Sequence, residues 1–496
     1  MRPNIVLIVA DTARASNFSL YGYEKETSPN LESIAAENSL YTNAIATAPW
    51  TMPSHASIFT GLHSSHHGST RSSPKLSDDK DTLHRILADN GYSNWLITAN
   101  PGISAVTNGN FEEYLTQRLV PTSTDYTEIK STFRSSGFSA SSFKSMYNLV
   151  HQEGEISDII NLADKFISNQ LEGVTTNPRR FTRKGSKNNV KLFSKLCNPS
   201  NAPYFAYVNI MEPHLKYIPP KGSRRKFALN GVDDEELWSV NQNPRLYNYA
   251  QAIDMDERDF DLLEALYNGA IHYTDQLVKE MYDHLERTGQ FEETLFIFIG
   301  DHGENIGDRG LMGHSLSLND ALLRVPMVIS YPGDSGGVFD QLVQLHDLFP
   351  TILRESGIDN ERHNVNHDAM LLPRDESHSG REYAVAEYLG SPFKGITNIV
   401  KEYPDVDYSQ YNYEIKTIYS DKSEKLTLFS TGESQFAEVS INGETERNGP
   451  TVSDRKSILR DELFSRVRDF GSTEYSDEQS DLSDEVENKL KNLGYI

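Results

Sequence analysis

Two unbroken apolar runs dominate the hydropathy pattern of the chain. Ile5-Val6-Leu7-Ile8-Val9-Ala10 ends in Asp11, and Leu295-Phe296-Ile297-Phe298-Ile299-Gly300 ends in Asp301 and His302. Neither alternates with polar residues, so both read as strands buried on two faces, the habit of parallel sheets. Tyr204-Phe205-Ala206-Tyr207-Val208-Asn209-Ile210 reads the same way and leads to His214. Shorter strands are predicted at residues 95–98 and 325–330. Helices are predicted at 28–43, 81–90, 158–170 and 259–287, and Asn100-Pro101-Gly102 reads as a turn. Strand and helix alternating in this order predict an α/β fold, with a central, mainly parallel sheet between helices.

The pattern changes near residue 373, beyond which 383–388, 414–419 and 425–429 read as antiparallel strands. The expected organisation is a catalytic domain over 1–372, a C-terminal subdomain with a small sheet over 373–470, and an acidic tail or helix over 471–496. Residues 177–187, with Arg179, Arg180, Arg183, Lys184 and Lys187, form a basic, turn-rich loop insertion. The chain as a whole is acidic, with a net charge of −24 over 496 residues. That charge repels polyanions and argues against a nucleic-acid partner. Cys197 is the single cysteine, so neither an intrachain disulfide nor a cysteine zinc site is available. The first apolar run is too short for a membrane span and ends in Asp11, and no other segment reaches spanning length without charges. A cytoplasmic location is expected.

The chemistry begins at the strand ends. Open α/β sheets bind ligands beyond the carboxyl ends of their strands, where Asp11, Asp301 and His302 fall. Two carboxylates and an imidazole suit a divalent cation. In Ala48-Pro49-Trp50-Thr51-Met52-Pro53-Ser54-His55, a hydroxyl sits at a helix start with proline in the first turn. The free N–H groups of such a turn attract anions, so Thr51 faces a negatively charged ester with the field in its favour. Together these residues point to a metal-assisted ester hydrolase. If Thr51 only caps its helix, the same residues make a catalytically silent anion-binding protein.

In their order, these residues resemble the sulfatase family of the alkaline phosphatase superfamily. The family signature C/S-x-P-S-R-x-x-x-x-T-G is met by Thr51-Met52-Pro53-Ser54-His55, with Thr60-Gly61 in place. Ser28-Pro29-Asn30-Leu31, His67-Gly68, Glu212-Pro213-His214, Arg324-Val325-Pro326, Asp347-Leu348-Phe349-Pro350-Thr351 and Leu493-Gly494-Tyr495 resemble further family segments. The likeness therefore spans nearly the whole chain. It implies hydrolysis of a small-molecule or glycan ester of sulfuric or phosphoric acid. It also implies a divalent cation (calcium, manganese, zinc or magnesium) held by Asp11, Thr51, Asp301 and His302. His214 takes the place of a general acid for the leaving alcohol, and His314 that of a residue touching the transferred group.

Several departures from the family pattern bend this reading. Thr51 stands where the family carries the residue converted to formylglycine. Its β-methyl group excludes that aldehyde, so no formylglycine is expected and a metal-activated threonine hydroxyl becomes the nucleophile. Thr12 replaces the second acid of the usual first pair, and His55 replaces the family's arginine. Asn100-Pro101-Gly102-Ile103 stands where many sulfatases carry G-K-W-H-L-G. These changes favour phosphoryl over sulfuryl transfer. They keep open a phosphodiesterase or a phosphoglycerol-type transferase acting on a glycan or precursor. Glu387, at a strand end of the C-terminal region, is a further candidate for reading the substrate, whereas His63, His66 and His67 read as structural.

Overall fold

The computed structural model describes residues 2–70, 76, 80–107, 111–115, 186–201, 203–359, 368–375, 377–390, 397–440 and 443–472. The predicted helix at 158–170, the basic insertion up to Gly185 and the tail beyond Ser472 lie outside these residues. Met1–Leu115 and Ser186–Ile496 belong to one unit, whose described part follows.

Its strands, in chain order, are β1 (Asn4–Ala10), β2 (Ser39–Tyr41), β3 (Ala44–Ile45), β4 (Ser93–Thr98), β5 (Glu112–Leu115), β6 (Tyr204–Ile210) and β7 (Thr294–Gly300). There follow the ribbon of β8 (Asn305–Ile306) and β9 (Met312–Gly313), then β10 (Met327–Ser330), β11 (Gly337–Phe339) and β12 (Val343–Gln344). The main sheet has the order β11-β2-β10-β7-β1-β6-β4-β5. β1 pairs in parallel with both β6 and β7, while β10 runs against β7 and β2. The two apolar runs of the sequence are thus neighbouring central strands.

Their continuous hydrophobicity follows from where the side chains go. Along β1, Ile5, Leu7 and Val9 enter one core, and Val6, Ile8 and Ala10 enter the core on the opposite face. Helices cover both faces, so each large side chain contributes about 1.5–3 kcal/mol of burial. Polar residues are expelled to the strand ends, where Asp11 and Asp301 sit.

Local reading and tertiary structure part at two places. The predicted helix over 28–43 ends at Ala35, and Ser39–Tyr41 becomes β2. Pairing of Leu40 with Val328 and burial of Tyr41 outweigh the weaker helical preference of that stretch. Asn100-Pro101-Gly102 opens the Pro101–Thr107 helix instead of ending in a turn. Asn100 Oδ1 accepts from the Gly102 N–H at 2.9 Å, capping that helix.

The small sheet is antiparallel throughout, in the order β13 (Tyr383–Tyr388), β14 (Ile415–Ser420), β15 (Glu424–Phe429), β16 (Ser434–Ser440) and β17 (Gly443–Glu446). The Pro450–Arg466 helix packs on it through Leu459 and Leu463. Glu387, on β13, is engaged in packing. It is buried, receives the Lys416 ammonium at 2.6 Å, and accepts from the Ser65 N–H at 2.8 Å. Its own N–H donates to the Thr47 carbonyl at 3.0 Å, which ties the small sheet to the segment leading into Thr51. Among the described residues no helix is long and apolar enough to cross a membrane.

Two histidines of this packing generate a pH dependence. His84 stacks on Phe111 with ring centroids 4.6 Å apart, and His67 meets Ser57 at 3.2 Å. Burial pushes each imidazole down to about 3, against about 6.5 in an unfolded chain. The unfolded state therefore binds more protons below pH ~6.5, and stability present at neutral pH is lost on acidification. By pH 5 the loss is about 2 kcal/mol per histidine. Guanidinium unfolding at pH 7 and pH 5 should show it, with a shallower dependence in His84→Gln; equal slopes would exclude it.

Candidate active site

Three strand ends and one helix start meet at the carboxyl edge of the main sheet. β1 delivers Asp11, β7 delivers Asp301 and His302, and the turn after β6 delivers His214. The Thr51–Thr60 helix brings Thr51 and, one turn on, His55. Every residue of that helix is buried, and Ser54 Oγ donates to the Asp301 carbonyl at 2.7 Å. Thr51 occupies the first helical position, after the extended Trp50, which takes the cap position without a side-chain cap bond. Its Oγ1 lies 3.5 Å from Asp11 Oδ1 and 3.3 Å from His302 Nε2.

The ring nitrogens have fixed roles. His302 Nδ1 donates to the Gly303 carbonyl at 2.9 Å, so the Nε2 lone pair faces Thr51, Asp11 and Asp301. His302 Nε2 is 3.4 Å from Asp301 Oδ2 and 3.9 Å from Asp11 Oδ1. His55 Nδ1 donates to the Thr51 carbonyl at 2.8 Å and lies 3.5 Å from Asp301 Oδ2. Burial holds His55 down to about 4. Burial, reinforced by His314, holds His302 well below the usual histidine range. Both imidazoles are neutral near pH 7.

Among the described residues, neither carboxylate therefore has a positively charged neighbour. Ligand atoms of Asp11, Asp301 and His302 all lie within 4.8 Å of one another. Like charges at such a spacing repel by roughly 3–4 kcal/mol at an effective dielectric of about 20. Burial first, then Asp11, hold the Asp301 carboxyl well above its ordinary range. Asp301 Oδ2 is buried without a hydrogen-bond partner. Lone pairs of two carboxylates and an oriented imidazole converging on one point are the donor set of a divalent cation. The residues fit such an ion.

A second group, His63, His346 and Asp368, has similar spacing but a different electrostatic balance. Arg381 Nη2 lies 3.3 Å from Asp368 Oδ2, and Arg466 Nε lies 3.2 Å from Oδ1. Two guanidinium groups already supply the positive charge there.

The seven residues expected from the sequence to serve catalysis or metal binding, Asp11, Thr51, His55, His214, Asp301, His302 and His314, gather at the first group, whereas Glu387 lies with Lys416 and Ser65. His214 and His314 join through their rings: His302 and His314 are 4.9 Å apart, and His214 and His314 5.2 Å. Two further residues enter that sequence reasoning missed. Asn100 Nδ2 donates to Asp11 Oδ2 at 2.9 Å, and Glu304 Oε1 receives His314 Nδ1 at 2.9 Å. The signal for Asn100 was its place at the end of a strand parallel to β6. Thr12 fills the vacant acid position differently, its N–H donating to Asp301 Oδ1 at 3.1 Å and its hydroxyl to the Pro213 carbonyl at 2.7 Å.

Comparison with known proteins identifies the family and the fold. The family profile described as Sulfatase matches residues 3–358. The multifunctional alkaline phosphatase superfamily protein PehA of Trinickia caryophylli is 25% identical over 399 residues, covering 73% of this chain and 75% of its own. An arylsulfatase of Clostridium perfringens is 24% identical over 393 residues, covering 71% and 74%. The crystal structure of the phosphonate monoester hydrolase of Agrobacterium radiobacter has the same fold, with a TM-score of 0.64 and 20% identity over 94% of this chain and 95% of that one. The chain belongs to the sulfatase family and is a hydrolase of the sulfuric or phosphoric ester class.

Proposed function

We propose that this protein hydrolyses phosphoric esters of small molecules or glycans, with Thr51 as nucleophile. The observation that carries the reading is the Thr51 hydroxyl, set 3.3–3.5 Å from His302 and Asp11 at the buried start of a helix. Asp11, Thr51, Asp301 and His302 would hold a divalent cation, which when bound lowers the pKa of the hydroxyl and offsets the charge of the ester. Thr51 Oγ1 attacks phosphorus, the bond to the leaving oxygen breaks, and His214 or His314 gives that oxygen a proton. Water then hydrolyses the phosphothreonine and regenerates the hydroxyl. The positive end of the helix at Thr51 supports the negative charge on the transferred group. His55 fixes the first turn by its bond to the Thr51 carbonyl.

Three residue choices favour phosphorus over sulfur. Thr51 carries a β-methyl that excludes formylglycine, His55 stands in place of arginine, and Asn100 engages Asp11 where many sulfatases place lysine and histidine. Transfer to an alcohol in place of water is the second reading, favoured by the Asp11, Thr51, Asp301 and His302 set, in which Thr12 replaces the second acid at the first strand end. Product analysis separates the two.

With manganese, zinc, calcium or magnesium added singly, aryl phosphate or aryl phosphodiester should be turned over faster than aryl sulfate. Thr51→Ala should lower kcat/KM by roughly 10³-fold or more. Wild-type rates in Thr51→Ala would refute the nucleophile, and a preference for aryl sulfate would refute the phosphoryl reading.

Removing the metal has a structural signature as well. Asp301→Asn relieves the buried like-charge pair, so the metal-free variant should melt a few °C above metal-free wild type. The same variant should lose the rise in Tm that wild type shows on adding the active metal. A lower metal-free Tm together with a retained metal response would remove Asp301 from the ligand set.

A further inference from the structure

We infer that Asn100 is a positioning residue that limits Asp11 to one ligand oxygen and so tunes the cation site toward zinc and against calcium. The inference rests on the ligand set proposed above and adds which ion that set prefers. The Asn100 amide has a fixed orientation. Its Oδ1 accepts from the Gly102 N–H at 2.9 Å, so the other edge of the amide, Nδ2, faces Asp11 and donates to Oδ2 at 2.9 Å. The Asn100 N–H donates to Thr98 Oγ1 at 2.8 Å, and Thr98 Oγ1 donates to Asn209 Oδ1 at 3.2 Å.

Strand order carries the side chain to this point. β4 pairs in parallel with β6, and β6 with β1, so the ends of β4 and β1 share one edge of the sheet. Asn100 lies two residues past the end of β4 and reaches Asp11 across the end of β6.

The other carboxylate is restricted in the same way, by backbone. Asp301 Oδ1 accepts from the N–H groups of Thr12 at 3.1 Å and His302 at 2.9 Å, which leaves Oδ2 to face the cation. Thr12 adds no oxygen, because its hydroxyl donates to the Pro213 carbonyl at 2.7 Å. The converging donors are therefore Asp11 Oδ1, Thr51 Oγ1, Asp301 Oδ2 and His302 Nε2. Thr51 Oγ1 is 3.5 Å from Asp11 Oδ1 and 3.3 Å from His302 Nε2, which is itself 3.4 Å from Asp301 Oδ2 and 3.9 Å from Asp11 Oδ1. Donors on zinc bonds of about 2.1 Å stand about 3.4 Å apart in a tetrahedron. Calcium takes about six to eight oxygens, often both from one carboxylate. Here one oxygen of each carboxylate is already engaged, and one donor is an imidazole nitrogen, which suits zinc and not calcium.

Calorimetric titration reads the preference without any turnover. Metal-stripped wild type, Asn100→Ala, Asn100→Asp and Asp301→Asn are titrated separately with zinc chloride and calcium chloride. Wild type should bind zinc at least about 100-fold tighter than calcium, at a site that Asp301→Asn abolishes. The ratio of zinc to calcium affinity should fall about 10–100-fold in both Asn100 variants. Alanine removes the helix cap as well, while aspartate keeps a cap oxygen and adds charge, so loss of the N–H donor is all that the two share. Calcium bound as tightly as zinc by wild type, or an unchanged ratio in either Asn100 variant, would overturn the inference. Should one Asn100 variant fail to fold, the wild-type ratio and the other variant still decide. Zinc bound alike by wild type and Asp301→Asn would strike the ligand set and the inference with it. Undiminished ester turnover by Thr51→Ala would strike the nucleophile assignment alone.

Discussion

Two carboxylates buried side by side organise this site. Asp11 and Asp301 follow neighbouring parallel strands whose last residues, Ala10 and Gly300, are in register, so the pairing itself forces the two charges together. Among the described residues neither carboxylate has a cationic side chain as partner, and the nearest imidazoles are held neutral by burial. A fold that confines this repulsion in its interior creates a strong demand for a cation at one point. The surrounding hydrogen bonds serve that point. The Thr12 N–H donates to Asp301 Oδ1, and Thr12 itself sits in the left-handed region with φ of 59°, at a cost of about 1–2 kcal/mol. Asn100 holds Asp11, and Gly303 turns the free edge of His302 inward.

Rigidity comes from packing on all sides. The Thr51–Thr60 helix has no solvent-facing stripe, which explains why its sequence lacks the polar face of a surface helix. It is hooked by Ser54 to the backbone of Asp301, and the segment before it is tied to β13 through Thr47. The small C-terminal sheet thus acts as a buttress for the segment that leads into Thr51. Within it, the buried Glu387–Lys416 pair also holds the turn at Ser65. A hydroxyl held this way reaches its reacting geometry with little further loss of freedom.

The family name and the residues at the centre pull in different directions. Relatives with the same fold carry names that include sulfatases and a phosphonate monoester hydrolase. One architecture therefore serves tetrahedral anions of both sulfur and phosphorus. What differs is the set of groups around the anion. A threonine has no aldehyde route, so the family's hydrate chemistry is closed to it and direct attack is what its hydroxyl offers. The neutral His55 in place of a permanently charged arginine further lowers the positive charge built into the pocket.

The chain by itself determined the two-sided central strands, their acidic ends, the helix start at Thr51 and the order of these pieces. Such features are local: unbroken apolar runs have few ways to be buried, and a proline in a first turn has few places to go. Tertiary structure decided what depends on register and on contacts between distant segments. Ser39–Tyr41 reads as helix by itself but is a strand because Val328 and Val338 lie beside Leu40. Glu387 is an ion-pair anchor because Lys416 sits opposite it across the β13–β14 pair. Asn100 and Glu304 gained their roles in the same way, from partners 89 and 10 residues away. A hydrogen bond between remote residues leaves no periodicity in the chain, and only the folded sheet brings its two ends within reach.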